Sequence, residues 1–404
     1  MKTREVRRRR PRWWSGAAVR TLLPSALIVS VLVLFAMVWQ SLGDQSSFAG
    51  LERDGVRYIQ ALVPLETALV NAESVAVNGG SAPRDPLARA VAAVADVDKD
   101  LNGRLRTQDR WAGLRSKVET LPAEGAPATV IAAYGSVNDL LLALMDKIRD
   151  TSKLIRDPAA DSYYLEDGAA QELPEGIVAA ADYTNLLIDA ARQPAAEQAK
   201  AVVDINAARS DLSSNAQDLS DDVRLAVEGS SSSSLGTALL SKLDRFNRSI
   251  DNLKPLATPL ATGKGGIDTT KVVRARDEMQ AAAADLSAAL LAQIDIALRD
   301  RLSSLDHRRL LAVAILAISA LLVLVPIAPA LADRRRRART TRGPDQPATP
   351  APVAAHRSPT PGPAGHPVTV PPDLQPARMA GPEPRPQSLS GAQYAQWERY
   401  GAPQ

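Results

Sequence analysis

Two charged residues stand on otherwise apolar helical seams and are the best-placed groups for chemistry. Arg209 lies between Ile205 and Leu212, and Asp98 between Val94 and Leu101. Burying a lone charge is costly, so each requires a partner, a ligand or an exposed edge. A guanidinium fork suits a carboxylate, which makes Arg209 a candidate for holding an anionic ligand. Two other arrangements satisfy the same pattern: Arg209 at a rim with its stem packed and its head in water, or an Asp98–Arg209 ion pair. Tyr163 and Tyr164 form a third candidate. Neighbours on a helix point about 100° apart, so one faces the seam and the other a groove or water. They read either as an aromatic plug or as ligand contacts. Near the C-terminus, Tyr394, Trp397 and Tyr400 recur at three-residue steps. They read as a partner-docking peptide or as chance aromatics in a solvated tail.

Catalytic sets are hard to assemble. The chain has no cysteine and three histidines, His307, His356 and His366. That removes Cys/His and Ser/His/Asp catalysis and most routes to zinc from the residues before His307. Gly263-Lys264-Gly265-Gly266 lacks the spacing of a P-loop and the Ser or Thr that follows one. Carboxylates are plentiful but spaced as solvated faces. The expectation is a non-enzymatic chain without a cofactor or a metal.

The elements that must position these groups are helices. Tyr134, Val137, Leu141, Leu144, Ile148, Thr151 and Ile155 step by threes and fours, which places them on one helical seam. Asp157-Pro158 interrupts the pattern, because a residue before proline is pushed out of helical geometry. Asp161 then serves as a candidate N-cap, and Ser162-Tyr163-Tyr164-Leu165 opens the next helix. Leu154-Ile155-Arg156-Asp157-Pro158 with Asp161-Ser162-Tyr163-Tyr164-Leu165 resembles the "LxLDPxxDSYYL" signature of extracytoplasmic four-helix-bundle sensor domains in bacterial chemoreceptors and membrane histidine kinases. Leu105 with Trp111 and Leu114 resembles the "L…W..L" helix of the same domains. Arg156 departs from the aliphatic residue usual there. The resemblance implies a helical input domain in which Asp157, Pro158, Asp161 and Ser162 build a structural corner.

Composition agrees with packed helices. Of 404 residues 45% are hydrophobic but only 4% aromatic, which suits Ala/Leu/Val helices packed along narrow seams. Charge is uneven. Residues 1–20 carry eight Lys/Arg against Glu5, residues 43–307 carry 28 bases against 39 acids, and residues 333–342 carry six arginines against Asp333. Basic ends around an acidic middle point to membrane topology rather than to nucleic acid.

Leu22 to Trp39 and Leu310 to Ala332 are uncharged runs of 18 and 23 residues, and about 20 apolar residues cross a bilayer. The first is read as an uncleaved anchor, because it exceeds a signal-peptide core and no A-x-A site follows. The expected organisation is a basic cytoplasmic segment 1–20, a transmembrane helix 21–42, an extracytoplasmic helical domain 43–307, a second transmembrane helix 308–332 and a Pro-rich cytoplasmic tail 333–404. Both termini are then cytoplasmic in the cell membrane. Arg308 and Arg309, just outside the second span, pull against that orientation and must snorkel to the outer headgroups.

Between the spans the pattern predicts six or seven helices: a first seam from Phe48 to Ala76 with a kink at Pro64, one helix from Asp85 to Leu121, and further helices separated near Pro194, Ser230–Ser234 and Gly263. No alternating strand pattern occurs. The fold expected is all-α, a membrane-anchored elongated bundle, either single or two stacked four-helix bundles sharing the long first and last helices. Residues 343–404 hold 15 of the 29 prolines and read as disordered.

Two functional readings follow. In one, the bundle binds a small ligand or partner and passes the event across the membrane to a separate cytoplasmic signalling partner, since no kinase core or methyl-accepting coiled coil follows the second span. In the other, the bundle is an oligomerising spacer of the envelope, and the Pro-rich tail is the working part. A homodimer is compatible with both.

Overall fold

The computed structural model describes residues 16–154, 160–230, 233–262 and 266–340. Every regular element among them is helical. The first helix, α1, runs unbroken from Gly16–Val77, 62 residues that pass through Pro64. At 1.5 Å per residue it is about 90 Å long. Gly79 closes it with φ 81°, and the N–H groups of Gly79 and Gly80 return to the carbonyls of Ala76 and Val75. That left-handed step is the conformation glycine adopts most cheaply.

The expected single helix from Asp85 to Leu121 is instead two. Helix α2 spans Arg84–Leu105 and α3 spans Gln108–Glu119. Arg106 between them takes a left-handed φ of 53°, and the chain reverses there, so that the Ala82 N–H reaches the Ala123 carbonyl at 2.9 Å. The reversal is held from within by Asp98, which accepts from Thr107 Oγ1 at 2.7 Å.

Helix α4 covers Pro127–Ser152, with proline in its first turn, where a missing N–H costs nothing. Helix α5, Ala160–Asp167, passes into a π turn at Gly168–Glu172 and then into α6, Leu173–Arg192. Helix α7 spans Ala195–Gly229 and α8 spans Ser233–Leu253. Pro255 and Pro259 break the chain into a 3₁₀ turn, Lys254–Ala257, and the short α9, Thr258–Thr262. Helix α10 then runs from Thr269–Thr340, 72 residues.

Helix α1 packs against α2, α4 and α6, and α6 and α8 flank α7. Helix α10 meets α8 through Arg245–Asp285 and α1 through Arg301–Glu52. The buried apolar side chains form one contiguous cluster. Its largest fully buried side chains, Tyr58, Tyr134 and Tyr183, have their hydroxyls satisfied. They donate to Asp98 Oδ1 at 2.8 Å, the Pro122 carbonyl at 3.2 Å and the Lys254 carbonyl at 2.9 Å. Burying an aromatic ring while bonding its polar end gains area without an orphaned donor.

Three helical stretches are long and apolar enough to cross a membrane: Ala26–Val77, Pro127–Ser152 and Thr269–Leu322. They differ in what covers them. Helix α4 turns Val130, Val137, Leu141, Leu144 and Ile148 into the core. Helices α1 and α10 instead leave bands exposed, from Leu27 to Trp39 and from Leu310 to Val325.

Helix α1 is approached closely at Gly55. A Cβ there would stand 2.5 Å from Ser152 Cβ and 3.1 Å from Leu154 Cδ1, so α1 and α4 meet at this level only because the side chain is missing. Gly55→Ala is expected to lower stability by about 1–3 kcal/mol in thermal or urea unfolding of the full chain, despite alanine's better helix propensity.

Candidate functional site

The structure separates the two charges that the sequence offered as a pair. Asp98 is buried, as its seam position requires. Its carboxylate is met by Tyr58 and Thr107 hydroxyls and, at 3.4 Å, by Asn102 Nδ2. Burial and this contact with Asp98 push the Tyr58 hydroxyl well above its usual range. Arg209 is exposed and is not among the partners of Asp98. The seam of α7 turns inward at Ala208 instead, between Ile205 and Leu212. Both positions fit a helical period, and the small one lies against the core. Neither the Arg209 core position nor the Asp98–Arg209 pair is present.

Tyr163 and Tyr164 are half-buried on α5 and meet edge to face, with centroids 5.3 Å apart and planes at 72°. Asp167's charge, then burial, pushes the Tyr163 hydroxyl up. Ser162 lies half-buried beside them. Helix α5 begins at Ala160, so Asp161 sits within its first turn rather than ahead of it. Asp157, Pro158, Tyr394, Trp397 and Tyr400 lie outside the described residues.

What sequence reading missed is a run of carboxylates between α6 and α7. Asp204, Asp211 and Asp218 recur every seventh residue on α7, and Glu175 and Asp182 are seven apart on α6. A seven-residue repeat keeps side chains on one helical face. All of these acids but Asp218, with Asp139 of α4, line two adjoining hollows. One, of about 400 Å³, is walled by Asp139, Asp182, Asp204 and Asp211 over a floor that includes Ile131, Val178 and Leu186. The next, of about 270 Å³, adds Glu175 and Asn215. No basic side chain lines either. Burial, then the charges of Asp139 and Asp211, raises Asp182 to about 6.

The stripe ends at the π turn. There the carboxylate oxygens of Asp167, Glu172 and Asp222 lie within 4.8 Å of one another, a set of hard oxygen ligands of the kind that holds divalent cations. Burial raises Glu172 and Asp222 to about 7, with neighbouring acids adding to the effect. Buried Arg149 on α4 supplies the local countercharge, bonding Asp167 through Nη2 and Gln171 through Nη1. The π turn delivers Gln171 and Glu172 to this point. It also brings Gly168 so close to α7 that a Cβ would lie 3.2 Å from Leu219 Cδ1.

Other clefts mix basic and acidic side chains. The groove between α8 and α10, of about 790 Å³, sets Arg245, Arg248 and Arg274 against Asp277 and Glu278. A more apolar one, of about 510 Å³, lies between the α2–α3 hairpin and Tyr134.

A second group that sequence reading missed is buried in α1. Glu66 and Glu73 are sealed in the core one heptad apart. Both Glu66 oxygens lack a partner, and burial alone raises the group to about 8. Glu73 accepts from Asn138 Nδ2 at 3.3 Å, and beside it Ser74 donates to Asn185 Oδ1 at 3.1 Å. Burial, then the charge of Asp182, raises Glu73 to about 8 as well.

A carboxyl whose folded value lies above its unfolded one favours the folded state most at low pH. Relative to an ordinary value of 4.5, the contribution of Glu66 is fully present below about pH 4.5 and is lost as pH rises to about 8. The slope for one such group is at most about 1.4 kcal/mol per pH unit. Glu66→Gln is therefore expected to flatten stability against pH between those limits, with its advantage over wild type growing toward alkaline pH. Urea unfolding at a series of pH values measures this, and parallel curves for the two proteins would refute it.

No protein-family model, curated protein or solved structure matches this chain.

Proposed function

We propose that the chain is a two-pass membrane sensor whose helical bundle binds a positively charged small ligand outside the cell and passes the event to a separate cytoplasmic partner. The observation that carries this reading is the continuity of α1 and α10. Each is one helix from an exposed apolar band into the buried core. The two touch just beyond those bands: Arg301 bonds buried Glu52 at 3.3 Å and lies 5.6 Å from the Phe48 ring centre. A change in packing of the bundle is thereby imposed on the ends of both spans.

Ligand charge follows from the acidic stripe. Four aspartates line one groove with no basic side chain among its walls, and the charges of Asp139 and Asp211 add to burial in raising Asp182. A cation relieves that repulsion, and the apolar floor accommodates an organic stem. The basic flanks at residues 1–20 and 333–342 support the reading with both termini in the cytoplasm.

Thermal unfolding of the full chain in detergent, titrated with divalent cations, polyamines and basic amino acids, tests the ligand class. A saturable rise is expected, equivalent to about 2.7 kcal/mol at a hundredfold excess over Kd. Asp182→Asn with Asp211→Asn is expected to reduce it. A screen without any shift would refute cation sensing. Orientation is tested separately, since the chain has no cysteine of its own. Val203→Cys, 72% exposed, should react with a membrane-impermeant maleimide on intact cells, and Ala348→Cys only after lysis. The opposite pattern would invert the topology.

A further inference from the structure

Two arginines at the outer edge of the second span have no use in the ligand groove. Arg308 is exposed and has no hydrogen bond or ion pair among the described residues. Arg309 sits with its guanidinium carbon 5.9 Å from the Trp39 ring centre. Its polar contacts are long: 3.4 Å from Nη2 to the Leu42 carbonyl and 3.9 Å from Nη1 to Asp306. Its Nε is shielded and has no acceptor. A guanidinium carries five N–H donors, and most of those on Arg309 lack a good partner. The nearby acid, Asp306, is 72% exposed and makes only that long contact.

The level of this pair decides what it meets. Trp39 closes the exposed apolar band of α1, and Leu310, 69% exposed, opens that of α10. Tryptophan favours the membrane interface, so the two cations lie where headgroups meet hydrocarbon. A phosphate matches the guanidinium fork in charge and in spacing. The indole and the exposed faces of Leu310 and Leu311 offer acyl chains a surface directly below.

We propose that Arg308, Arg309 and Trp39 form a site for the phosphate of an anionic phospholipid in the outer leaflet. The site rests on the two-pass reading above and is independent of what the acidic groove binds. It also accounts for basic residues on the side of the membrane where topology disfavours them.

The full chain is placed in phosphatidylcholine nanodiscs doped with phosphatidylglycerol, and native mass spectrometry counts the anionic lipid that each chain retains. Arg308→Gln with Arg309→Gln should enter the discs as wild type does and lose retention by about fivefold per arginine. A variant of the inner cluster, Arg334→Gln through Arg337→Gln, should keep the outer lipid. Equal retention by wild type and the outer variant, or loss only in the inner variant, overturns the site. Inorganic phosphate that displaces the lipid from wild type at matched concentration identifies free phosphate as the occupant and overturns the lipid assignment. A wild-type chain that fails to enter the discs overturns the membrane reading, and the site with it.

Discussion

The constraint on which the rest of the molecule depends is that one long helix must be covered on every buried side. Helix α1 carries Tyr58, Ile59, Leu62, Leu65, Leu69 and Ala72 into the core, and α2, α4 and α6 each close part of that surface. A buried side chain of this size contributes about 1.5–3 kcal/mol, so an α1 stripped of its neighbours would expose far more than a lone helix can offset. The contacts are also specific. Gly55 admits α4 at one level, and the Glu73–Asn138 and Ser74–Asn185 bonds fix α4 and α6 at another. Sliding α1 by a turn would leave these polar groups facing apolar side chains, which costs more than a mismatched hydrophobic contact.

That arrangement explains what could be read from the chain alone. The seams of α1, α4, α7, α8 and α10 were legible because large aliphatic residues recur at three- and four-residue steps, and Pro or Gly marks most of the breaks. The α2–α3 reversal was not legible. No glycine or proline stands at Leu105-Arg106-Thr107, and the turn is held by a buried carboxylate nine residues upstream. Asp98 was correctly placed inside, but its partners come from three separate positions that spacing does not connect. Arg209 is exposed, one of the arrangements its position allowed, because Ala208 and Arg209 fit the seam equally well and only the neighbouring helix chooses between them.

The acidic stripe was overlooked for a different reason. Each aspartate on α7 is an ordinary solvated residue when read along its own helix. Only the packing of α6 beside α7 turns two polar faces into one groove with a common field, in which burial and the neighbouring acids raise Asp182. Glu66 and Glu73 were hidden in the opposite sense. They adjoin an apolar seam, where a glutamate normally reaches water, and here both are buried, Glu73 against Asn138 of α4.

The π turn at Gly168–Glu172 ties this surface to the core. A single π turn accommodates one residue more than a regular helical turn while keeping the helix continuous. Removing that residue would rotate everything beyond it by about 100°, swinging Glu175 and Asp182 away from α7 and closing Gly168 off from Leu219. The groove and the inward face of α6 thus depend on the same extra residue: its deletion would displace the acids and in the same motion turn Tyr183, Leu187 and Ile188 out of the core.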